Sequence, residues 1–203
     1  MARQLQLIFP TVISKSKLDR EFTKDEYDFI LNNTNDCNHN YGNATSNNNY
    51  ILESKELSNL KEFCLKELQD FLEVAYKPKH DIEIYITQSW LNYTNNNEFH
   101  HRHEHPNSFI SGVFYIEADE KADKIVFSKS NYQQIAIESK NPEFCYLSYY
   151  LPVNKYDLLF FPSHLTHEVP KTTNPNTRIS LSFNSFIKGN LGDNKSLTEL
   201  ILK

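Results

Sequence analysis

The chain is short of cysteine, has no block of basic charge and no long apolar run, and each shortage removes a class of protein. Cys37, Cys64 and Cys145 are odd in number and widely spaced, so neither a disulfide framework nor a cysteine-type zinc site is expected. Lysine and arginine are dispersed among more numerous acids, for a formal net charge of −5. That balance argues against a nucleic-acid partner. No apolar stretch approaches the roughly 20 residues of a membrane helix. The opening Met1-Ala2-Arg3-Gln4-Leu5 does not read as a signal peptide. A reducing, cytoplasmic setting is the expectation, and in it the Asn-x-Thr sequences at Asn32, Asn43 and Asn92 carry no glycan. At 203 residues the chain fits one domain with a real core.

What is present falls into two halves. Leu18, Phe22, Tyr27, Ile30 and Leu31 recur about once per helical turn, predicting a helix over 18–31. The Asn-rich stretch 32–49 reads as a long exposed loop and, by its length, a candidate lid. Ser54 reads as the N-cap of an amphipathic helix running to Lys77, with Leu57, Leu60, Cys64, Leu68, Phe71 and Ala75 on one face. From Asp81 the period changes to two, Ile82, Ile84 and Ile86 alternating with Glu83, Tyr85 and Thr87. Further strand-like runs lie at 109–117, 124–128, 133–137, 144–150, 156–161 and 177–187. The tail 188–203 reads as loop with a short helix from Ser196. Helical support over 1–80 followed by about eight strands over 81–187 predicts a mainly β protein, an antiparallel sandwich or barrel with helices on one outer face.

The chemistry concentrates in two segments. In extended chain, residues i and i+2 point to the same side, so His103 and His105 can meet one ion while Glu104 points away. His101 and His103 share that spacing, and Pro106 ends the pairing by removing a backbone donor. The second segment, Phe160-Phe161-Pro162-Ser163-His164-Leu165-Thr166-His167, can project His164 or His167 into the same place. Beyond it, Ile179, Leu181 and Phe183 take one strand face while Arg178, Ser180, Ser182 and Asn184 take the other. A guanidinium buried inside a barrel needs a partner: either an acid of the chain, such as Asp157 or Glu168, or a ligand carboxylate.

The run His-x-His-Pro-x-Ser-x-x-Ser-Gly-Val-x-Tyr from His103 to Tyr115, followed by Phe-Pro-Ser, His167 and Arg-x-Ser from Phe161 to Ser180, resembles the 2-oxoglutarate- and Fe(II)-dependent dioxygenases. It looks most like a prolyl-hydroxylase-like branch found in bacteria and phages. The resemblance covers roughly Ser89 to Ile187, with Leu7-Ile8-Phe9-Pro10-Thr11 in the same style. It implies a double-stranded β-helix, the cupin-like jelly roll, with Fe(II) at its mouth on His103, His105 and His167. It also implies 2-oxoglutarate on Arg178 and Ser180, with Tyr115 and Tyr93 nearby, O2 as co-substrate and ascorbate as reductant. The reaction implied is hydroxylation, of a peptidyl side chain at the family level, with release of succinate and CO2; a phage-encoded copy would act in the host cytoplasm. One departure is clear. The family's usual third ligand is a carboxylate, where this chain has His105, with Glu104 and His101 the other candidates. A cupin-like three-histidine enzyme without 2-oxoglutarate and a metal-stabilised jelly-roll binding or virion protein are the competing functions.

Overall fold

The structure, a computed structural model, describes residues 8–129, 138, 140, 147–173 and 175–203. The expected strand at 133–137 and the first three residues of the one at 144–150, Cys145 among them, lie outside the described residues.

Two long strands form the spine. β4 (Ile82–Thr94) and β11 (Arg178–Leu191) pair antiparallel along almost their whole length, with a register shift between Asn184 and Ser185. On one side β11 receives β6 (Ile110–Glu117), then β9 (Asp157–Pro162) and β1 (Ser14–Lys17). On the other side β4 receives β3 (Ala44–Ser46) and then β2 (Cys37–His39). A second sheet holds β5 (His100–His103), β10 (His167–Val169), β7 (Lys124–Ser128) and β8 (Ser148–Pro152), in that order.

The alternation along β11 divides the interior as expected. Ile179, Leu181 and Phe183 join a large core with α2 (Ser58–Ala75), whose Leu60, Cys64, Leu68, Phe71 and Leu72 form its buried stripe. Between the sheets a smaller cluster holds Val113, Tyr115, Ile125, Phe127, Leu159 and Phe161. The large sheet is thus covered by helix on one face and by the second sheet on the other, the double-stranded β-helix layout with its site between the sheets. Gly112 is demanded by this packing: it sits opposite Phe183 in the ladder, and a Cβ there would lie 2.2 Å from the Phe183 ring.

The N-terminal third is less helical than its periodicity suggests. α1 spans Lys24–Asn32, not 18–31, because Thr23 and Glu26 form a reciprocal capping box that fixes its start. Glu26 is buried yet satisfied by a two-pronged pair with Arg20, at 2.6 and 2.8 Å. The chain before it pairs as β1 with β9. The long helix begins at Ser58, after a 3-10 turn over Lys55–Leu57, and the Ser54 side chain makes no capping bond. The Asn-rich stretch is no featureless loop either. It folds as the β2–β3 hairpin, turning at Gly42 with φ 100°, and caps the β4 edge. At the C-terminus β12 (Leu200–Leu202) pairs with β11 where a helix was expected from Ser196. No helix among the described residues is long and apolar enough to cross a membrane.

Candidate metal centre and anion pocket

Strand register brings the histidines together. β5 and β10 pair so that His103 stands directly opposite His167, their ring centroids 4.3 Å apart. His105 lies just past the end of β5. Its backbone N–H donates to the Ser163 carbonyl at 3.0 Å, tying the two histidine segments to each other. Nε2 of His105 is 3.1 Å from Nε2 of His103 and 3.3 Å from Nε2 of His167.

The outer nitrogens explain what these contacts are. Nδ1 of His103 lies 2.7 Å from the His101 carbonyl, Nδ1 of His167 lies 2.9 Å from the Leu165 carbonyl, and Nδ1 of His105 lies 2.6 Å from Oδ1 of Asn184. A carbonyl oxygen can only accept, so each Nδ1 carries the proton and donates it. All three Nε2 atoms are then bare lone pairs aimed at one point. Burial and the neighbouring rings push His105 down to about 4 and His167 to about 3, while burial also lowers His103. A proton is therefore a poor occupant near neutral pH. A divalent ion fits: separations of 3.1 and 3.3 Å let these nitrogens share one ion at the roughly 2.0–2.1 Å typical of imidazole ligation.

The rival ligands are placed elsewhere. Glu104 is turned outward and accepts a hydrogen bond from the Thr166 hydroxyl. His164 is exposed. His100, His101 and His103 form a second close group, half-buried, with His100 stacked on His103 at 4.5 Å. Because His103 turns its Nδ1 to the His101 backbone, its Nε2 faces His105 and His167.

Behind the triad lies a narrow cavity lined by Tyr115, Arg178, Ser180, Ser182, Asn92 and the three histidines. Arg178 is 2% exposed; its Nη2 donates to Oγ1 of Thr94 at 2.9 Å, and Nη1 lies 3.7 Å from Asp123 without a hydrogen bond. The Tyr115 hydroxyl is also buried and unbonded. Two orphaned donors converging on one cavity are the mark of a site built for an acceptor. Asp123, not Asp157 or Glu168, is the acid beside the guanidinium; Asp157 pairs with Lys15 at 2.7 Å. Tyr93 is a correction. On the β4 face turned away from the cavity, its hydroxyl donates to the Ile30 carbonyl at 2.7 Å, within the helix-side core.

The motif serines have a role that their spacing did not reveal. Ser163 donates to Ser108 at 2.8 Å and shares a 2.9 Å contact with Ser111, while Ser108 receives the Ser185 N–H at 3.2 Å. The network pins the turn holding His105 to β6, to the Phe-Pro-Ser turn and to β11. Asn184 was visible on the polar face of its strand, but its bond to His105 spans 79 residues and leaves no local trace.

Three converging imidazoles lie beside an arginine-lined cavity between the sheets of a double-stranded β-helix, an arrangement able to hold a divalent ion and an anion side by side. Residues 88–184 match the model of the family described as "Putative 2OG-Fe(II) oxygenase". That match spans just under half of the chain, 97 of its 203 residues, and takes in all three histidines and Arg178. No curated protein matches the sequence. Among solved structures, the chain is similar to the epimerase SnoN in complex with Fe3+, α-ketoglutarate and nogalamycin RO, with 9% identity, TM-score 0.61 and coverage of 87% of this chain and 79% of that one. It is similar to HygX from Streptomyces hygroscopicus with nickel, 2-oxoglutarate and hygromycin B, with 9% identity, TM-score 0.55 and coverage of 86% and 82%. A Pseudomonas putida prolyl-4-hydroxylase gives 10% identity, TM-score 0.51 and coverage of 86% and 92%. At these identities the likeness is one of fold.

Proposed function

We propose that the chain hydroxylates its substrate at an Fe(II) centre held by His103, His105 and His167, consuming 2-oxoglutarate and O2. The observation that carries this reading is the convergence of three Nε2 lone pairs whose Nδ1 protons are all committed to carbonyl oxygens. Bound Fe(II) with 2-oxoglutarate supplies the activation of O2: one oxygen atom enters the substrate C–H bond, and the other enters succinate as CO2 leaves.

The chain's own residues orient and enclose. Arg178, with the Ser180 hydroxyl, takes the far carboxylate of 2-oxoglutarate, and the Tyr115 hydroxyl gives that anion a further donor. The fork geometry of arginine suits a carboxylate. Asp123 tempers the guanidinium's charge and holds its position. Val113 and Ile125 line the cavity and help keep water from it.

Purified anaerobically, the protein with Fe(II) and 2-oxoglutarate gives the weak visible charge-transfer band of the chelate, and admitting O2 with ascorbate gives succinate. No band and no succinate would sink the reading. Arg178→Ala weakens 2-oxoglutarate binding far more than metal binding. The third imidazole favours one alternative, a three-histidine oxygenase that uses no 2-oxoglutarate; metal-dependent O2 consumption without succinate would select it.

A further inference from the structure

On the outer side of the triad, a second and much larger cleft of about 730 Å³ opens to solvent. It falls within the roughly 300–1,000 Å³ usual for ligand sites. His100, His103, His105 and Trp90 line both it and the inner cavity, so a molecule seated here reaches the metal centre.

The lining selects a ligand by what it offers. Among the described residues it contains no lysine or arginine, and its one carboxylate, Glu104, is engaged by Thr166. A phosphate or sulfate finds no counter-charge there. Polar and apolar surface are nearly matched along the cleft: the Trp90 and Tyr50 rings and Pro106 alternate with imidazole, carboxamide and hydroxyl groups, leaving no continuous apolar face for a greasy ligand. Among the described residues, the side chains of Asn49, Thr87, Gln88 and Asn107 have no hydrogen-bond partner. A carboxamide donates and accepts at once, as a sugar hydroxyl does. The aromatic elements suit the same ligand: Tyr50 is 55% exposed, and Trp90 is braced by stacking on His105 at 5.8 Å. A peptide fits less well, because Tyr50 bridges Ser89 and the Ser89 N–H donates to the Asn49 carbonyl at 2.9 Å, so the β4 edge beside the cleft is already partly paired.

We infer that this cleft binds an uncharged saccharide, which is the substrate class presented to the metal centre. The consequence for catalysis rests on the oxygenase reading; the binding itself does not. Trp90 is the chain's single tryptophan, so its emission reports the cleft directly. The test titrates the full chain, with and without anaerobic Fe(II) and 2-oxoglutarate, with maltotriose, cellotriose, chitotriose and mannotriose. A proline-rich decapeptide and AMP are run alongside. At least one trisaccharide shifts the Trp90 emission saturably at millimolar concentration or below. Tyr50→Ala and Gln88→Ala, both at exposed positions, weaken that binding at least fivefold with unchanged circular dichroism. Saturation by the peptide or AMP and not by any sugar overturns the inference. So does no saturation at all, or undiminished sugar binding in both variants. Succinate formation without sugar binding refutes only this inference, and sugar binding without succinate refutes only the oxygenase reading.

Discussion

Replacing Asn184 with alanine tests the logic of the metal centre most directly. Of the three carbonyls that hold the imidazole Nδ1 protons, two are backbone groups, of His101 and Leu165, and only Asn184 can be removed by substitution. The lost bond, 2.6 Å in length, is worth about 0.5–1.5 kcal/mol as a hydrogen bond. The larger effect is loss of control, since His105 can then move its proton to Nε2 and present no lone pair. Removing such partners commonly costs roughly 10–100-fold in metal affinity, about 1.4–2.8 kcal/mol. Here Trp90 still stacks on the His105 ring, at 5.8 Å and 25°, and limits its rotation. The expected loss is therefore near the lower end, about tenfold. Calorimetric titration of Co(II) or Ni(II) into metal-free protein measures it, with Co(II) absorption reporting the ligand geometry. Asn184→Asp keeps an acceptor and should stay close to the parent. Equal affinity in Asn184→Ala and the parent, or an Asp variant as weak as the Ala variant, would refute the tautomer argument.

Tyr115→Phe removes a buried hydroxyl that has no partner, so thermal stability should hold or rise while 2-oxoglutarate affinity falls; a drop in both would mean the hydroxyl is structural. Gly112→Ala forces a methyl to within 2.2 Å of the Phe183 ring and should destabilise by about 1–3 kcal/mol in denaturant melts, whereas an unchanged midpoint would contradict the packing. Metal-free protein should lose stability as pH falls. Burial first, and the neighbouring histidine charges, hold His105 at about 4 and His167 at about 3, below the roughly 6.5 of an unfolded chain. The unfolded state therefore takes up protons first, and the loss begins below about pH 6.5 and grows through pH 4. Melting temperatures across that window check it, and a flat profile would refute it.

How far the fold was legible depended on how local each signal was. β4 and β11 announce themselves through alternation, Ile82, Ile84 and Ile86 against Glu83, Tyr85 and Thr87 in the first, and the facing of Arg178 and Ser180 opposite Ile179 and Leu181 in the second follows from that alternation alone. β1, the β2–β3 hairpin and β12 were not legible. They are three or four residues long, largely solvent-facing, and held by backbone bonds to strands far away in sequence. Helix periodicity also overran its true start, since Leu18 and Phe22 reach the same core from an extended lead-in.

The site divides along the same line. The i, i+2 rule places His103 and His105 on one side of the chain, but it applies equally to His101 and His103, and only tertiary contacts separate the two registers. The His101 carbonyl takes the His103 proton, which turns its Nε2 inward, and Asn184 does the same for His105 from another strand. Glu104, the carboxylate the family pattern would prefer, is held outward by Thr166. Asn184 therefore sets the tautomer of His105: its amide oxygen takes the Nδ1 proton and leaves Nε2 bare toward His103 and His167.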